Sequence, residues 1–333
     1  MKILITGGCG FIGSNFIRHI LRTYPDYRIV NLDALTYAGN PENLKDVQGN
    51  PRYAFVRGKI EDSALLRDLM QGVACVVHFA AESHVDRSIV DAQPFLMTNV
   101  LGTHSLLEAA RNASIGKFVH ISTDEVYGAL GEEGKFTEKT PLMPNSPYAA
   151  SKASGDLLVR AYHETFGFPA IIVRPSNNYG PYQYPEKLIS LMITNLVDNK
   201  PVPVYGEGKN VRDWLFVEDN CRAIDIILHK GKVGEAYNVG GNSERRNSEI
   251  VKKVLALMGK DETSITFVKD RPGHDYRYAL DATKIERQLG WSPSVDVEAG
   301  LKKTVDWYRN NEWWWRPLKE RLSSESSGFW TKR

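Results

Sequence analysis

Along the first half of the chain, short apolar and β-branched runs alternate with stretches whose apolar residues recur every three or four positions. The runs are Lys-Ile-Leu-Ile-Thr (2–6), 27–33, 53–57, 74–80, 117–122 and 170–174. Most are apolar throughout rather than at every second position, the pattern of strands covered on both faces. The stretches between them predict helices near 12–23, 62–71, 95–112 and 147–166. Alternating strands and helices predict an α/β fold built on a doubly wound parallel sheet.

After about residue 180 the segments shorten and grow richer in Gly, Pro and charge. Strands are predicted near 202–205, 214–217, 236–239, 265–269 and 277–280, and helices over 219–229, 247–258, 282–289 and 297–310. This pattern implies a smaller C-terminal α/β lobe over 181–320, with some segments returning to the first domain, 1–180, and a tail over 321–333. The Ser-rich stretch 323–328 predicts a loose end.

Length and composition agree: 333 residues suit two domains, and 42% apolar with 25% charged residues is ordinary for a globular chain. A formal net charge of +2 gives no reason to expect a nucleic-acid or membrane partner. Cys9, Cys75 and Cys221 are odd in number and far apart, fitting neither a disulfide framework nor a metal site, and pointing to a reducing cytoplasm. No apolar run approaches the roughly 18 residues of a membrane helix. The opening strand leaves no room for a signal peptide, so a cytoplasmic location is expected.

Residues 6–14, Thr-Gly-Gly-Cys-Gly-Phe-Ile-Gly-Ser, follow the first strand and open the first helix. Gly8, Gly10 and Gly13 satisfy G-x-G-x-x-G; Gly7, Gly10 and Gly13 satisfy G-x-x-G-x-x-G. Such a loop lets the backbone approach a pyrophosphate, which the free N–H groups of the helix end then bind. Asp33, at the end of the second strand, can accept from both adenosine ribose hydroxyls and would repel a 2′-phosphate, which favours NAD over NADP.

Tyr148 and Lys152 stand one turn apart on a predicted helix face. A tyrosine titrates near about 10. A nearby ammonium and an oxidised nicotinamide would lower that value, letting Tyr148 take a hydroxyl proton. Thr123-Asp124-Glu125 follow the fifth strand at its carboxyl end, where ligands bind in open parallel sheets. Two adjacent carboxyl groups are surplus to hydride transfer. They suit a reaction that also removes one proton and protonates a leaving group, with Asp124 as acid and Glu125 as base.

The glycine loop and the Y-x-x-x-K after the fifth strand resemble the extended short-chain dehydrogenase/reductase superfamily, with its Rossmann-like sheet. Thr123-Asp124-Glu125, Asp33–Gly39, Ala80–Ser88, Ser176–Leu188, Asn210–Trp214 and Asp270–Asp275 narrow the resemblance to the dTDP-glucose 4,6-dehydratase family. It implies tightly held NAD, recycled each turnover, and a three-step reaction: oxidation at carbon 4, elimination across carbons 5 and 6, and hydride return to carbon 6. Thr123, Asp124, Glu125, Tyr148 and Lys152 would be catalytic. Gly7, Gly10, Phe11, Ile12, Gly13, Asp33, Leu35, Thr36, Gly39, Ile60, Phe79, Ala80, Ala81, Thr98 and Asn178 would join Tyr148 and Lys152 around the cofactor.

For the nucleotide-sugar substrate, the resemblance implies Ser83, Thr123, Asn177, Glu186, Lys187, Leu188, Pro203, Arg212, Asn247, Arg271 and His274. His84 fits a substrate role and a structural role equally. Tyr205 could stack on the thymine or belong to the core. The family forms homodimers through a four-helix bundle, and 95–112 and 147–166 are the candidate helices, although core burial explains their apolar spacing as well. Lys59, Pro175 and Tyr276 depart from the family pattern, which commonly carries Asp, Cys and Arg there. Lys59 cannot accept from the adenine amino group, which leaves Ile60 and the backbone. A UDP-hexose 4-epimerase would share the loop and the Tyr–Lys pair without needing Asp124 and Glu125. A dehydratase of another nucleotide sugar would keep the glutamate, and a non-catalytic dinucleotide-binding protein would need none of the four.

Overall fold

The computed structural model describes residues 1–270 and 272–326. Its strands are β1 (Lys2–Thr6), β2 (Arg28–Asp33), β3 (Tyr53–Arg57), β4 (Cys75–His78), β5 (Lys117–Ile121), β6 (Ala170–Pro175), β7 (Asn177–Tyr179), β8 (Val202–Tyr205), β9 (Val211–Phe216), β10 (Ala236–Val239), β11 (Glu244–Arg246) and β12 (Ile265–Val268). Seven form one parallel sheet in the order β10-β6-β5-β4-β1-β2-β3. Uniform apolarity is matched by burial: every residue of β4 and β6 is buried. The edge strand β3 is half-exposed, having a neighbour on one side only. Strand order reverses at β1, which lies between β2 and β4, and the glycine loop leaves the carboxyl end of β1 at this switch point.

One core lies between the sheet and the helices Phe11–Thr23 and Val217–Lys230. Another is closed by Ser63–Leu69, Thr103–Asn112 and Pro147–Phe166. The second lobe has its own core, on Leu188–Val197, Asn247–Leu257, Val297–Asn310 and the last helix, Glu312–Ser326. Within 181–320, the segments 217–230 and 236–239 pack on or extend the large sheet.

Several expectations change. The helix predicted over 95–112 is interrupted: Gln93–Phe95 leads into a π-helical stretch, Leu96–Gly102, before Thr103–Asn112 resumes α-geometry. That stretch directs the Asn99 amide to the Glu82 carbonyl (3.0 Å) and Ser151 Oγ (2.8 Å), tying it to the cleft and to helix 147–166. No strand forms at 277–280, where Arg277 and Leu280 make isolated bridges only. Leu188–Val197 (LISLMITNLV) is a helix without a polar face to announce it, because none of its residues is exposed. The expected loose end at 323–328 overlaps the last helix as far as Ser326; the rest of the tail lies outside the described residues.

Gly7 sits at φ +72°, and a Cβ there would fall 2.5 Å from the Ala80 nitrogen. Left-handed strain and the backbone clash act together, so Gly7→Ala should cost roughly 2 kcal/mol or more of stability. We expect a clearly lower midpoint in urea melts; an unchanged midpoint would refute this account.

Candidate active site

A cleft of about 670 Å³ runs along the carboxyl ends of the central strands. Every residue assigned to the cofactor lines it except Leu35. Leu35, at φ +54°, contributes its N–H to Asp33 Oδ1 (2.8 Å), while Asp33 Oδ2 accepts from Cys9 N–H (2.8 Å). Each carboxylate oxygen keeps a further lone pair for a ligand hydroxyl. A Cβ on Gly13 would lie 2.5 Å from the Gly7 carbonyl oxygen, so the loop is a cradle that side chains would fill. The helix it opens has no side-chain cap at Gly10 and no acidic residue in its first turn, leaving its N–H groups to an anion. Buried oxygens of Ser122, Asp124, Ser176, Asn177, Asn178, Gln183 and Glu186, all from cleft-lining residues, lack a hydrogen-bond partner. Buried polar atoms are ordinarily paired, so this wall fits a polar ligand.

The reactive groups converge from two elements. After β5 the chain enters a short 3₁₀ turn, Asp124–Tyr127, capped by Thr123 Oγ1, which accepts from Glu125 N–H (3.3 Å). Helix 147–166 begins with Ser146 as cap and Pro147 in its first turn, which brings Tyr148 and then Lys152 to the cleft. Tyr148 stands on the same wall as Thr123, whose hydroxyl donates to Asp124 Oδ1 (3.2 Å). Lys152 Nζ donates to the Ile121 carbonyl (2.7 Å).

Burial governs the protons here. Asp124 is 2% exposed, and desolvation, then the Glu125 charge, hold its carboxyl well above the usual range. Arg212 opposes that rise through its charge. Burial pulls the Lys152 amine down to about 8 against the pull of Asp156. The lowered Tyr148 expected from the sequence is not what the protein's own groups produce. Burial, then Glu125, push the phenol up, while the Lys152 amine is directed to a backbone carbonyl.

Of the residues assigned to the substrate, Ser83, Thr123, Asn177, Glu186 and Lys187 line the cleft. Lys187 Nζ donates to the Ser83 carbonyl (3.1 Å), and burial lifts the Glu186 carboxyl to about 7. His84, Leu188, Pro203, Tyr205, Arg212, Asn247 and His274 are not on its wall. His84 caps helix Val85–Val90, accepting from Arg87 N–H (3.2 Å), and faces Glu186 at 3.4 Å, which supports its structural reading. Tyr205 donates to Asp86 Oδ2 (3.0 Å) and stands edge-on to His274, which pairs with Asp270 (2.6 Å), so the hydroxyl end of Tyr205 is not in a core. Arg212 lies over the Tyr278 ring and donates to the Asp275 carbonyl (3.0 Å). Asn247 N–H donates to the Asn210 carbonyl (2.9 Å), and Pro203 pairs with Thr266 between β8 and β12. Arg271 lies outside the described residues. Lys59 and Pro175 line the cleft, whereas Tyr276 sits in a separate shallow depression.

Sequence reading missed Ser122, Ser176 and Gln183, whose unpaired oxygens face this wall, and Asn99, which shapes it. Serine, glutamine and asparagine carry no motif of their own. Their one signal is position, immediately before or after residues that do.

Residues 4–304 match the GDP-mannose 4,6 dehydratase family. A dTDP-glucose 4,6-dehydratase of Xanthomonas campestris pv. campestris (strain B100) is 53% identical over 331 residues, covering 93% of this chain and 94% of that one. The structure is similar to that of a dTDP-glucose 4,6-dehydratase from Streptomyces venezuelae, solved with NAD and a dTDP ligand bound. Its TM-score is 0.94 and its identity 53%, over 96% of this chain and 100% of that one. A UDP-glucuronic acid 4-epimerase from Bacillus cereus, solved with NAD, also matches at a TM-score of 0.88, but at 32% identity over 93% of this chain and 99% of that one.

The raised Asp124 has a measurable signature. Its folded form keeps a proton that the unfolded chain releases at about 3.9. Stability is therefore present below that pH and is lost as pH rises toward the folded value. Asp124→Asn removes this dependence. The stability of the variant relative to the parent should climb from pH 4 to pH 8 in denaturant titrations; a flat difference would show that Asp124 is ionised.

Proposed function

The chain belongs to the dTDP-glucose 4,6-dehydratase family of the extended short-chain dehydrogenase/reductase superfamily, and on that premise we propose that it converts dTDP-glucose to dTDP-4-dehydro-6-deoxyglucose and water. The observation that carries this reading is the buried cluster of Tyr148, Thr123 and Asp124 on the cleft wall, with Glu125 beside it. An oxidoreductase or an epimerase has no task for that carboxyl pair, and the 53% against 32% identities point the same way.

NAD held by the loop of Gly7, Gly10 and Gly13 and by Asp33 would supply the hydride acceptor for carbon 4, the hydride donor for carbon 6, and a positive charge near the Tyr148 phenol. The chain's own groups move the protons. Tyr148 takes the proton of the carbon 4 hydroxyl, which Thr123 orients, and the positive charge of oxidised nicotinamide would favour the phenolate. The ketone so formed acidifies carbon 5. Glu125 removes that proton while Asp124, whose proton affinity burial and the Glu125 charge raise, gives its proton to the hydroxyl leaving carbon 6, so that water departs. Glu125 then returns its proton to carbon 5. The product is a precursor of deoxysugars such as rhamnose.

Residues 1–180 would carry NAD, and 181–320, less the segments that return to the sheet, the nucleotide end of the substrate. Tyr205 and His274, tied to the cleft through Asp86, helix 85–90 and Glu186, and Arg212, whose charge acts on Asp124, would serve the base and diphosphate. The three cysteines are unpaired and buried, which supports a cytoplasmic, reducing setting. Leu96, Leu101, Leu157 and Phe166 are each more than half exposed on the two candidate dimer helices, which supports a homodimer through a four-helix bundle.

The purified protein should turn dTDP-glucose into a keto-sugar seen by its alkali-developed absorbance. Turnover of a different nucleotide sugar instead would overturn the substrate. Glu125→Gln should still reduce NAD on adding substrate but stall before water loss, with turnover down by about 10²–10⁴; full turnover would remove Glu125 as the base. Leu101→Glu with Leu157→Glu should shift the light-scattering mass from dimer to monomer, and an unchanged mass would place the interface elsewhere.

A further inference from the structure

The last helix belongs to the core of the second lobe, yet it reaches the cofactor loop. Trp314 is 2% exposed, and its indole N–H donates to Asn43 Oδ1 at 2.7 Å. Asn43, 1% exposed, donates its Nδ2 to the Cys9 carbonyl at 2.8 Å. Cys9 lies inside the glycine loop, and its N–H donates to Asp33 Oδ2 at 2.8 Å. A continuous hydrogen-bond line thus runs Trp314–Asn43–Cys9–Asp33, from the C-terminal helix to the ribose-facing carboxylate. Arg321 of the same helix adds a second tie, donating to the Tyr37 carbonyl at 2.8 Å in the segment that follows Asp33.

We propose that Trp314 is a positioning residue for the cofactor: acting through Asn43, it fixes the Cys9 peptide and so sets how long NAD stays in the loop. This inference rests on reading that loop as the NAD site. A carboxamide has one accepting and one donating end. The indole donor holds the Asn43 oxygen toward the last helix, which leaves the amino end facing Cys9. Without the indole N–H the buried oxygen is unpaired, and rotating the amide to satisfy it elsewhere would turn oxygen toward the Cys9 carbonyl. Either outcome weakens the hold on Cys9, the residue whose N–H donates to Asp33. Loosening a site that is already built appears mainly as faster release.

Four proteins test this: the parent, Trp314→Phe, Asn43→Leu and the double variant, with Trp315→Phe as control. The Trp315 indole donates to the Tyr308 carbonyl (2.9 Å) within the second lobe and has no part in the line. Each protein is loaded with radiolabelled NAD and chased with unlabelled NAD, and dTDP affinity is measured by calorimetry. Trp314→Phe and Asn43→Leu should each release NAD about fivefold faster or more. The double variant should release it no faster than Asn43→Leu alone, because both changes cut one line. Trp315→Phe should match the parent, and dTDP affinity should be the same in all. Parent-like release from Trp314→Phe, additive effects in the double variant, or equally fast release from Trp315→Phe would each overturn the relay while leaving the NAD site intact. If Asn43→Leu does not fold, the contrast between Trp314→Phe and Trp315→Phe decides alone. A parent protein that retains no label would instead overturn the reading of the loop, and the relay with it.

Discussion

Charge is expensive at the carboxyl end of this sheet, and the candidate site depends on that cost. Asp124, Tyr148 and Lys152 are all buried, and desolvation is the first cause of each one's shift toward its neutral form. Glu125, adjacent in the chain, is only half-buried. One step along the backbone therefore separates a carboxyl sealed from water from one partly open to it. That difference lets neighbouring residues act as acid and base in a single elimination.

The fold backs these buried groups with hydrogen-bonded side chains. Tyr148, Lys152 and Asp156 recur at four-residue intervals on helix 147–166, so one face carries phenol, amine and carboxylate in line. Asp156 pairs with Arg174 of β6 at 2.8 Å, Arg174 donates to the Tyr127 hydroxyl (2.8 Å), and Tyr127 donates to Asn238 of β10 (2.8 Å). Below the loop, Thr6 and His78 share a hydrogen bond of 2.7 Å, and His78 meets Thr103 at 3.1 Å. The chains of satisfied groups stop at the cleft wall, where unpaired oxygens collect. A built scaffold facing an unsatisfied wall is what preorganisation for a polar ligand looks like.

Much of this was legible in the chain. The strands of the large sheet, the glycine loop, Asp33, and the Tyr148–Lys152 and Asp124–Glu125 pairs are all local patterns. Periodicity, left-handed backbone and one-turn spacing act over a few residues, so few residues suffice to read them. The errors also share a cause. Leu188–Val197 lacked a polar face because none of its residues is exposed. The break at 96–102 depends on Asn99 reaching partners at Glu82 and Ser151.

The sequence by itself determined which chemical groups the protein has and which short segments present them, because those are matters of covalent order and local geometry. The tertiary structure alone decided that the Asp124 carboxyl is held above its usual range, that the Tyr148 phenol is pushed up rather than down, and that Trp314 is tied to Asn43 across 271 positions. Desolvation and hydrogen-bond partnership depend on where distant parts of the chain return, and no local pattern carries that information.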